Sequence, residues 1–120
     1  MFTLDLYIKI DENTITVRNA KTGQEVSCTA NPGFSSSRLL VADFTIASKT
    51  IKNLLKEISS PFLAQKRILM HSLKIMEGGW SQVELRIFQE LAIDAGAQKE
   101  AICIEDRALS GQEVLDFWKS

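Results

Sequence analysis

One stretch of the chain, residues 81–106, constrains the fold more than any other. Ser81 and Glu84 open it at the spacing of a capping box, in which each side chain satisfies a free backbone N–H at a helix N-terminus. Gly96 stands where a left-handed C-cap is expected. Between these ends, apolar residues at helical spacing predict one buried stripe: Val83, Ile87, Phe88, Leu91 and Ala95. The stretch therefore predicts a helix with a defined start and stop.

A strand and two acids follow this helix. Residues 101–104 (Ala-Ile-Cys-Ile) predict a buried strand, and Glu105 and Asp106 stand at its carboxyl end. Open α/β sheets bind their ligands at that end of the strands. The acid pair is therefore a candidate site. The alternative is a pair of solvated loop carboxylates that Arg107 partners.

The first quarter of the chain has the period of two that is typical of strands. From residue 2 to residue 10, apolar and polar residues alternate, which predicts a strand buried on one face. Residues 14–19 and 24–30 predict two more strands, and polar turns separate all three. Together they predict an antiparallel meander.

The rest of the chain alternates helices and strands. Residues 46–58 carry a helical apolar stripe, residues 67–73 predict a strand buried on both faces, and Ser110 with Glu113 predicts a capped final helix. The order is β-β-β-α-β-α-β-α within one domain, residues 1–120. A meander followed by parallel strands with crossover helices is typical of the ribonuclease-H-like fold shared with the actin superfamily. We therefore expect an α/β domain with a five-stranded mixed sheet and three helices.

Composition argues against several classes of function. The chain has 14 Lys and Arg against 15 Asp and Glu, a net charge of −1, so no overall positive field favours nucleic acid. The N-terminus lacks the features of a signal peptide, and no apolar run is long enough to span a membrane. Cys28 and Cys103 lie in predicted strands and are expected to be small buried residues in a reducing compartment. We therefore expect a cytoplasmic protein.

Two stretches resemble the first subdomain of the bacterial actin MreB. Residues 41–44 (Val-Ala-Asp-Phe) lead into the first helix and are similar to that family's IADF motif. Parts of the stretch at residues 81–106 are similar to the pattern VExRA…AxxAGA…xxLIEEP: Val83-Glu84-x-Arg86, Ala95-Gly96-Ala97 and Ile104-Glu105-Asp106. The resemblance implies the actin-type subdomain IA fold and a setting in bacterial cell shape, division or cytoskeletal assembly. It also implies that Glu105 and Asp106 align with acids that help position the hydrolytic water.

The nucleotide-binding elements of that family have no counterpart here. Where the family's first strand ends in Asp-Leu-Gly-Thr, this chain has Asp5 and Leu6 followed by Tyr7, and the turn at residues 11–13 contains no glycine. A backbone that approaches phosphate needs the conformational freedom of glycine. The family's second half and its inserted subdomain also lack counterparts. We therefore predict a reduced actin-like domain without nucleotide or other cofactor and without actin-type filaments.

The alternative is a metal-dependent ribonuclease-H-like nuclease or a residual phosphohydrolase. Such an enzyme needs several carboxylates around two metals, and Asp5, Glu105 and Asp106 are the candidates. The predicted strand at residues 67–73 offers no acid. It contains the sole histidine, His71, which is expected to be a hydrogen-bonded structural residue, and no His/Cys cluster has zinc-ligand spacing. We therefore predict no catalytic residue and no metal site.

Protein contact is the function that remains. Trp80 and Trp118 are candidates for a contact surface, because tryptophan is enriched at interface hot spots. Alternatively, Trp80 acts as a hydrophobic staple and Trp118 packs the last helix onto the sheet. We predict a non-catalytic interaction module that binds protein partners of a cytoskeletal or cell-envelope assembly, not nucleic acid. A homo-oligomer formed through exposed strand edges is a further hypothesis.

Overall fold

The chain folds around one mixed β-sheet. The computed structural model describes residues 3–36, 39–60, 63–73 and 82–119. The elements are β1 (Thr3–Asp11), β2 (Thr14–Asn19), β3 (Glu25–Thr29), α1 (Phe44–Leu55), β4 (Gln65–Ser72), α2 (Gln82–Asp94), β5 (Ala97–Cys103) and α3 (Gly111–Phe117). For this described part of the chain, the predicted element order and the α/β class are confirmed.

The strands lie in the order β3-β2-β1-β4-β5. The first three pair antiparallel because short turns join them. β4 and β5 run parallel to β1 because the crossovers that contain α1 and α2 return the chain to the same end of the sheet. β1 lies at the centre, where Ile8 pairs with Val17 of β2 and with Met70 of β4. β3 and β5 form the two edges.

The central position of β1 buries both of its faces. Leu6 and Ile8 belong to a core shared with α1 and α2, whereas Tyr7 belongs to a second core with Val114 of α3. The prediction of a strand buried on one face was wrong, because Asp5 and Tyr7 on the apparently polar face are fully buried. Alternation is typical of a one-sided strand, but here α3 covers part of the other side.

Local sequence sets the ends of the helices. Asp43 caps α1 by accepting a hydrogen bond from a first-turn N–H at 3.0 Å, so the helix begins at Phe44, two residues before the predicted start at residue 46. It ends at Leu55, three residues before the predicted end at residue 58. Gly96 follows α2 with a φ of 98°, the predicted left-handed conformation. Ser110 and Glu113 form the predicted capping box of α3. No helix in the described ranges has the length and apolar character that crossing a bilayer requires.

The buried face of α2 differs from the predicted stripe. Phe88, Leu91 and Ala95 are buried, but Val83 is 65% exposed. At about 100° per residue, the buried side chains centre on a direction roughly 120° away from Val83, so its inclusion in the stripe was wrong. Ser81, the predicted cap of this helix, lies outside the described residues.

The edge strands depart most from the sequence prediction. β5 begins at Ala97, well before the predicted residues 101–104, because the polar first half of an edge strand carries no apolar pattern. Cys28 on β3 is exposed, so the expectation of burial was wrong for this residue, whereas Cys103 on β5 is buried. Since β2, β1 and β4 separate the two edges, these cysteines cannot form a disulfide with each other.

Candidate functional site

The loop that follows β5 carries the predicted acid pair. Glu105 and Asp106 are both exposed. The backbone of this loop is anchored to the sheet, because the carbonyl oxygen of Glu105 accepts a hydrogen bond from Nε2 of His71 at 2.7 Å. His71 lies on β4 and is fully buried. The path of the loop is therefore fixed from the neighbouring strand and not by the acidic side chains.

A buried chain of hydrogen bonds continues from His71 through the second core. Because a carbonyl oxygen only accepts, Nε2 of His71 carries the proton, and Nδ1 accepts from the Tyr7 hydroxyl at 2.5 Å. The Tyr7 oxygen in turn accepts from the Leu109 N–H at 2.9 Å. Burial raises the pKa of Tyr7, which keeps its hydroxyl protonated. His71 is thus the hydrogen-bonded structural residue that we predicted, but the sequence did not indicate its partners.

Arg107 pairs with α3 and not with the acids beside it. Its guanidinium nitrogens lie 2.5 Å and 3.0 Å from the carboxylate oxygens of Glu113. The hydrogen bond from Arg107 lowers the pKa of Glu113 to about 2. The interpretation of Arg107 as the partner of Glu105 and Asp106 was wrong, because the capping box already holds the Glu113 carboxylate next to the loop.

A shallow cavity of about 300 Å³ lies beside this loop. Cys103, Leu109 and the candidate acid Glu105 line it together with the Arg107–Glu113 pair. Burial raises the pKa of the Cys103 thiol, which disfavours the thiolate needed for nucleophilic attack. The cavity therefore contains a satisfied ion pair and a protonated thiol, and neither group is activated for chemistry.

Asp5 lies far from the other two candidate acids. Its carboxylate is fully buried, with Oδ1 2.6 Å from Nε of Arg67 and Oδ2 3.5 Å from Nζ of Lys21. In the sheet register Asp5 is level with Lys99, six residues before Glu105, or about 15–20 Å along the strand direction. Paired metal ions lie only about 4 Å apart. The acids do not converge, and no cluster of three or more His, Cys, Asp or Glu in the described ranges could hold a metal.

Trp118 lies at the C-terminal end of α3, over the same end of the sheet as Asp5. Its partly buried ring packs against the second core. The guanidinium carbon of Arg67 lies 5.5 Å from the ring centroid, and Nζ of Lys99 lies 5.6 Å from it. Both cations contact the indole at distances typical of cation–π pairs. The other candidate, Trp80, lies outside the described residues.

A groove of about 540 Å³ runs between α2 and the outer edge of β5. We call it the β5 edge groove. Apolar and polar side chains line it in similar numbers: Leu85, Ile93, Ala101 and Ile102, and Gln82, Arg86, Gln89, Glu90 and Glu100. Ile93 is 49% exposed, and in the described structure no strand pairs with the outer side of β5. The sequence signal was Ile93 itself, which lies outside the predicted stripe of α2.

Two further concavities, of about 590 and 500 Å³, flank α1, and the first of them also borders β3. Lys49 lines both, and Lys52 lines the second. Nζ of Lys52 lies 3.1 Å from a carboxylate oxygen of Asp94, which also accepts a hydrogen bond from Ser48. The hydrogen bond from Ser48, and then the one from Lys52, lower the pKa of Asp94. Three lysines line the second concavity, and among the described residues only Lys52 forms an ion pair, so this face keeps an excess of positive charge.

Comparison with known proteins identifies a relative of this chain by sequence. No protein-family model matches the chain. The chain is 41% identical over 101 residues to a protein of Escherichia coli K12 described as "Uncharacterized protein YjaA", and the match covers 78% of each chain. Identity at this level over most of both chains shows common descent. The chain therefore belongs to the same protein family as YjaA.

Proposed function

We propose that this chain is a non-catalytic protein-interaction domain that binds its partners at the β5 edge groove. The observation that carries the proposal is an open strand edge beside a groove that exposes apolar side chains, with Ile93 49% exposed. A strand edge offers unpaired backbone donors and acceptors, and proteins commonly use such edges to bind an extended segment of a partner. Groove and edge together fit that mode of recognition.

The alternative, a metal-dependent nuclease or phosphohydrolase, gains no support from the geometry. Arg67 and Lys21 hold the buried Asp5 carboxylate in ion pairs. Glu105 and Asp106 lie beyond the opposite end of the strands. The proposal therefore includes no catalytic residue, cofactor or metal.

The ribonuclease-H-like fold identity and the kinship with MreB subdomain IA are parts of the same proposal. The strand order, with α1 and α2 on one face and α3 on the other, supports them. In the turn between β1 and β2, Asn13 has a φ of 52° and its side chain accepts a hydrogen bond from the Ser35 N–H, which supports the loss of nucleotide binding. The proposed setting is the cytoplasm, within a bacterial assembly that acts in cell shape or division.

Photo-cross-linking in cells from a benzophenone amino acid at position 93 tests the proposal. We expect it to capture a defined protein that the same label at Phe44, an exposed residue of α1, does not capture. The captured protein, once purified, should bind the wild-type chain and lose affinity for the Ile93→Glu variant. Failure of both steps contradicts the proposal. Capture of a second copy of the chain identifies the homo-oligomer, which light scattering over a wide concentration range would check.

Isothermal titration with ATP and magnesium tests the absence of nucleotide binding. We expect no binding at micromolar concentrations, because no glycine turn presents backbone N–H groups between β1 and β2. Micromolar affinity would refute this part of the proposal.

A further inference from the structure

Two different chemistries lie on the two sides of the outer edge of β5. Side chains alternate along a strand, so Ile102 and Glu100 face the α2 side and line the β5 edge groove, while Lys99 faces the α3 side and contacts Trp118. The first side combines apolar side chains with polar and charged ones, among them Arg86 and Glu100. The second side carries uncompensated positive charge.

The positive charge comes from a cluster at the start of β4 and β5. Lys21, Arg67 and Lys99 bring three cations close to one another, and Asp5 is the carboxylate that pairs with the first two. Lys99 forms no ion pair with any carboxylate among the described residues; its recorded contact is with the Trp118 ring. Three cations and one anion leave an excess of two positive charges, and the Lys21 and Arg67 side chains are 51% and 30% exposed.

The opposite edge of the sheet carries a smaller excess of positive charge. On the side of β3, Lys9 and Arg18 both pair with Glu25, at 3.2 Å and 3.0 Å. The β3 face is otherwise lined with hydroxyl groups, as in the Thr16–Ser27 pair. Both of these cations beside β3 are therefore paired with a carboxylate, whereas Lys99 on β5 is not.

We infer that the β5 edge binds an extended segment of a partner protein in which apolar and acidic side chains alternate. This inference rests on the proposed interaction function and adds the chemistry of the partner. A strand added about 4.8 Å outside β5 would point its apolar side chains at Ile93 and Ile102. Its alternate side chains would point at Lys99. Arg67 would lie about 10 Å from the new strand, which is about one Debye length at 0.1 M salt, so its charge would still attract an acidic side chain there.

The same observations disfavour nucleic acid as the occupant. Glu90 and Glu100 line the α2 side against the single cation Arg86, so this side carries a net negative charge that would repel phosphates. A carboxylate-bearing strand places negative charge on one side only. It therefore matches the two sides of β5 in a way that a nucleic-acid backbone does not.

Peptides of about seven residues, the length of β5, test the inference by fluorescence anisotropy with the full chain. One alternates valine with glutamate, a second valine with lysine and a third valine with serine. We expect the glutamate peptide to bind at least about tenfold more tightly than the lysine peptide, equivalent to about 1.4 kcal/mol. Lys99→Glu should abolish this preference, and Lys99→Gln should reduce it. Lys49→Glu on α1 is the matched control and should leave it unchanged.

Three results would overturn the inference. If the three peptides bind equally well and Ile93→Glu abolishes their binding, strand addition is retained but the preference for acidic side chains is rejected. If no peptide binds, but a protein cross-linked from position 93 loses affinity for the Ile93→Glu variant, the proposed function stands and this partner chemistry is rejected. Tighter binding of a polyuridine oligonucleotide, lost in Lys99→Glu, would assign the edge to nucleic acid. Circular dichroism of each variant would verify folding, which we expect because Lys99 and Ile93 are exposed.

Discussion

Replacing Tyr7 by Phe tests the buried chain of hydrogen bonds that joins β1, β4 and the loop after β5. The substitution preserves the ring and removes one hydroxyl, so Nδ1 of His71 loses its donor and the Leu109 N–H loses its acceptor. Water does not reach the site, because Tyr7 and His71 are both fully buried. A buried polar group left without its partner destabilises a protein by about 1–3 kcal/mol. Two such groups predict a loss of about 2–6 kcal/mol.

Urea denaturation followed by circular dichroism measures this loss. The expected change is large beside the total stability of a domain, about 5–15 kcal/mol. Amide exchange provides a local readout, since the Leu109 N–H should lose protection more than the strand amides of β2. Thr14→Val is the control: it removes an exposed hydroxyl that lies 3.0 Å from Thr29, and should change stability by no more than about 0.5 kcal/mol.

The reasoning fails if Tyr7→Phe costs no more than that control. It also fails if stability falls while the exchange of Leu109 stays as in the wild type. The first result would mean that the hydroxyl contributes nothing net. The second would mean that the loop is held by contacts other than Tyr7.

Three further predictions concern the ends and edges of the sheet. Gly96→Ala should destabilise the chain by about 1 kcal/mol or more in thermal unfolding, because alanine disfavours a φ of 98°; an unchanged melting temperature would exclude a strained site. Arg107→Ala should raise the pKa of Glu113 from about 2 toward 4.5, measured by NMR titration. Since folding lowers this pKa, the pair stabilises the fold above about pH 4.5, and that stability is lost as the pH falls toward 2. Cys28 should react with a thiol reagent much faster than Cys103 by mass spectrometry, because Cys103 is buried with a raised pKa; equal rates would place both thiols in the same environment.

Local sequence patterns predicted the elements in which the polarity of each side chain follows its burial. The bounds of β2 were predicted residue for residue, because its alternation matches one buried and one open face. Gly96 marked the end of α2, because the left-handed conformation favours glycine over other residues. The first half of β5 was missed because Lys99 is held by backbone pairing at an edge and Gln98 lies at an irregularity of the register, and neither leaves an apolar signal.

The buried polar contacts were harder to predict, because distant parts of the chain form them. The Tyr7–His71 bond spans 64 positions and the Leu109–Tyr7 bond spans 102. The Asp5–Arg67 pair spans 62, so Asp5 resembled a free catalytic acid until its partner was located. Such pairs follow from the strand register, and a single sequence contains no record of that register.

The hydrogen bond from His71 to the loop after β5 has a consequence for how the protein can evolve. His71 binds the main-chain carbonyl at position 105, which every amino acid possesses. Drift at positions 105 and 106 therefore leaves the path of the loop unchanged. A descendant of this chain could exchange Glu105 and Asp106 for other side chains, held at the carboxyl end of β5 by an anchor that does not depend on them.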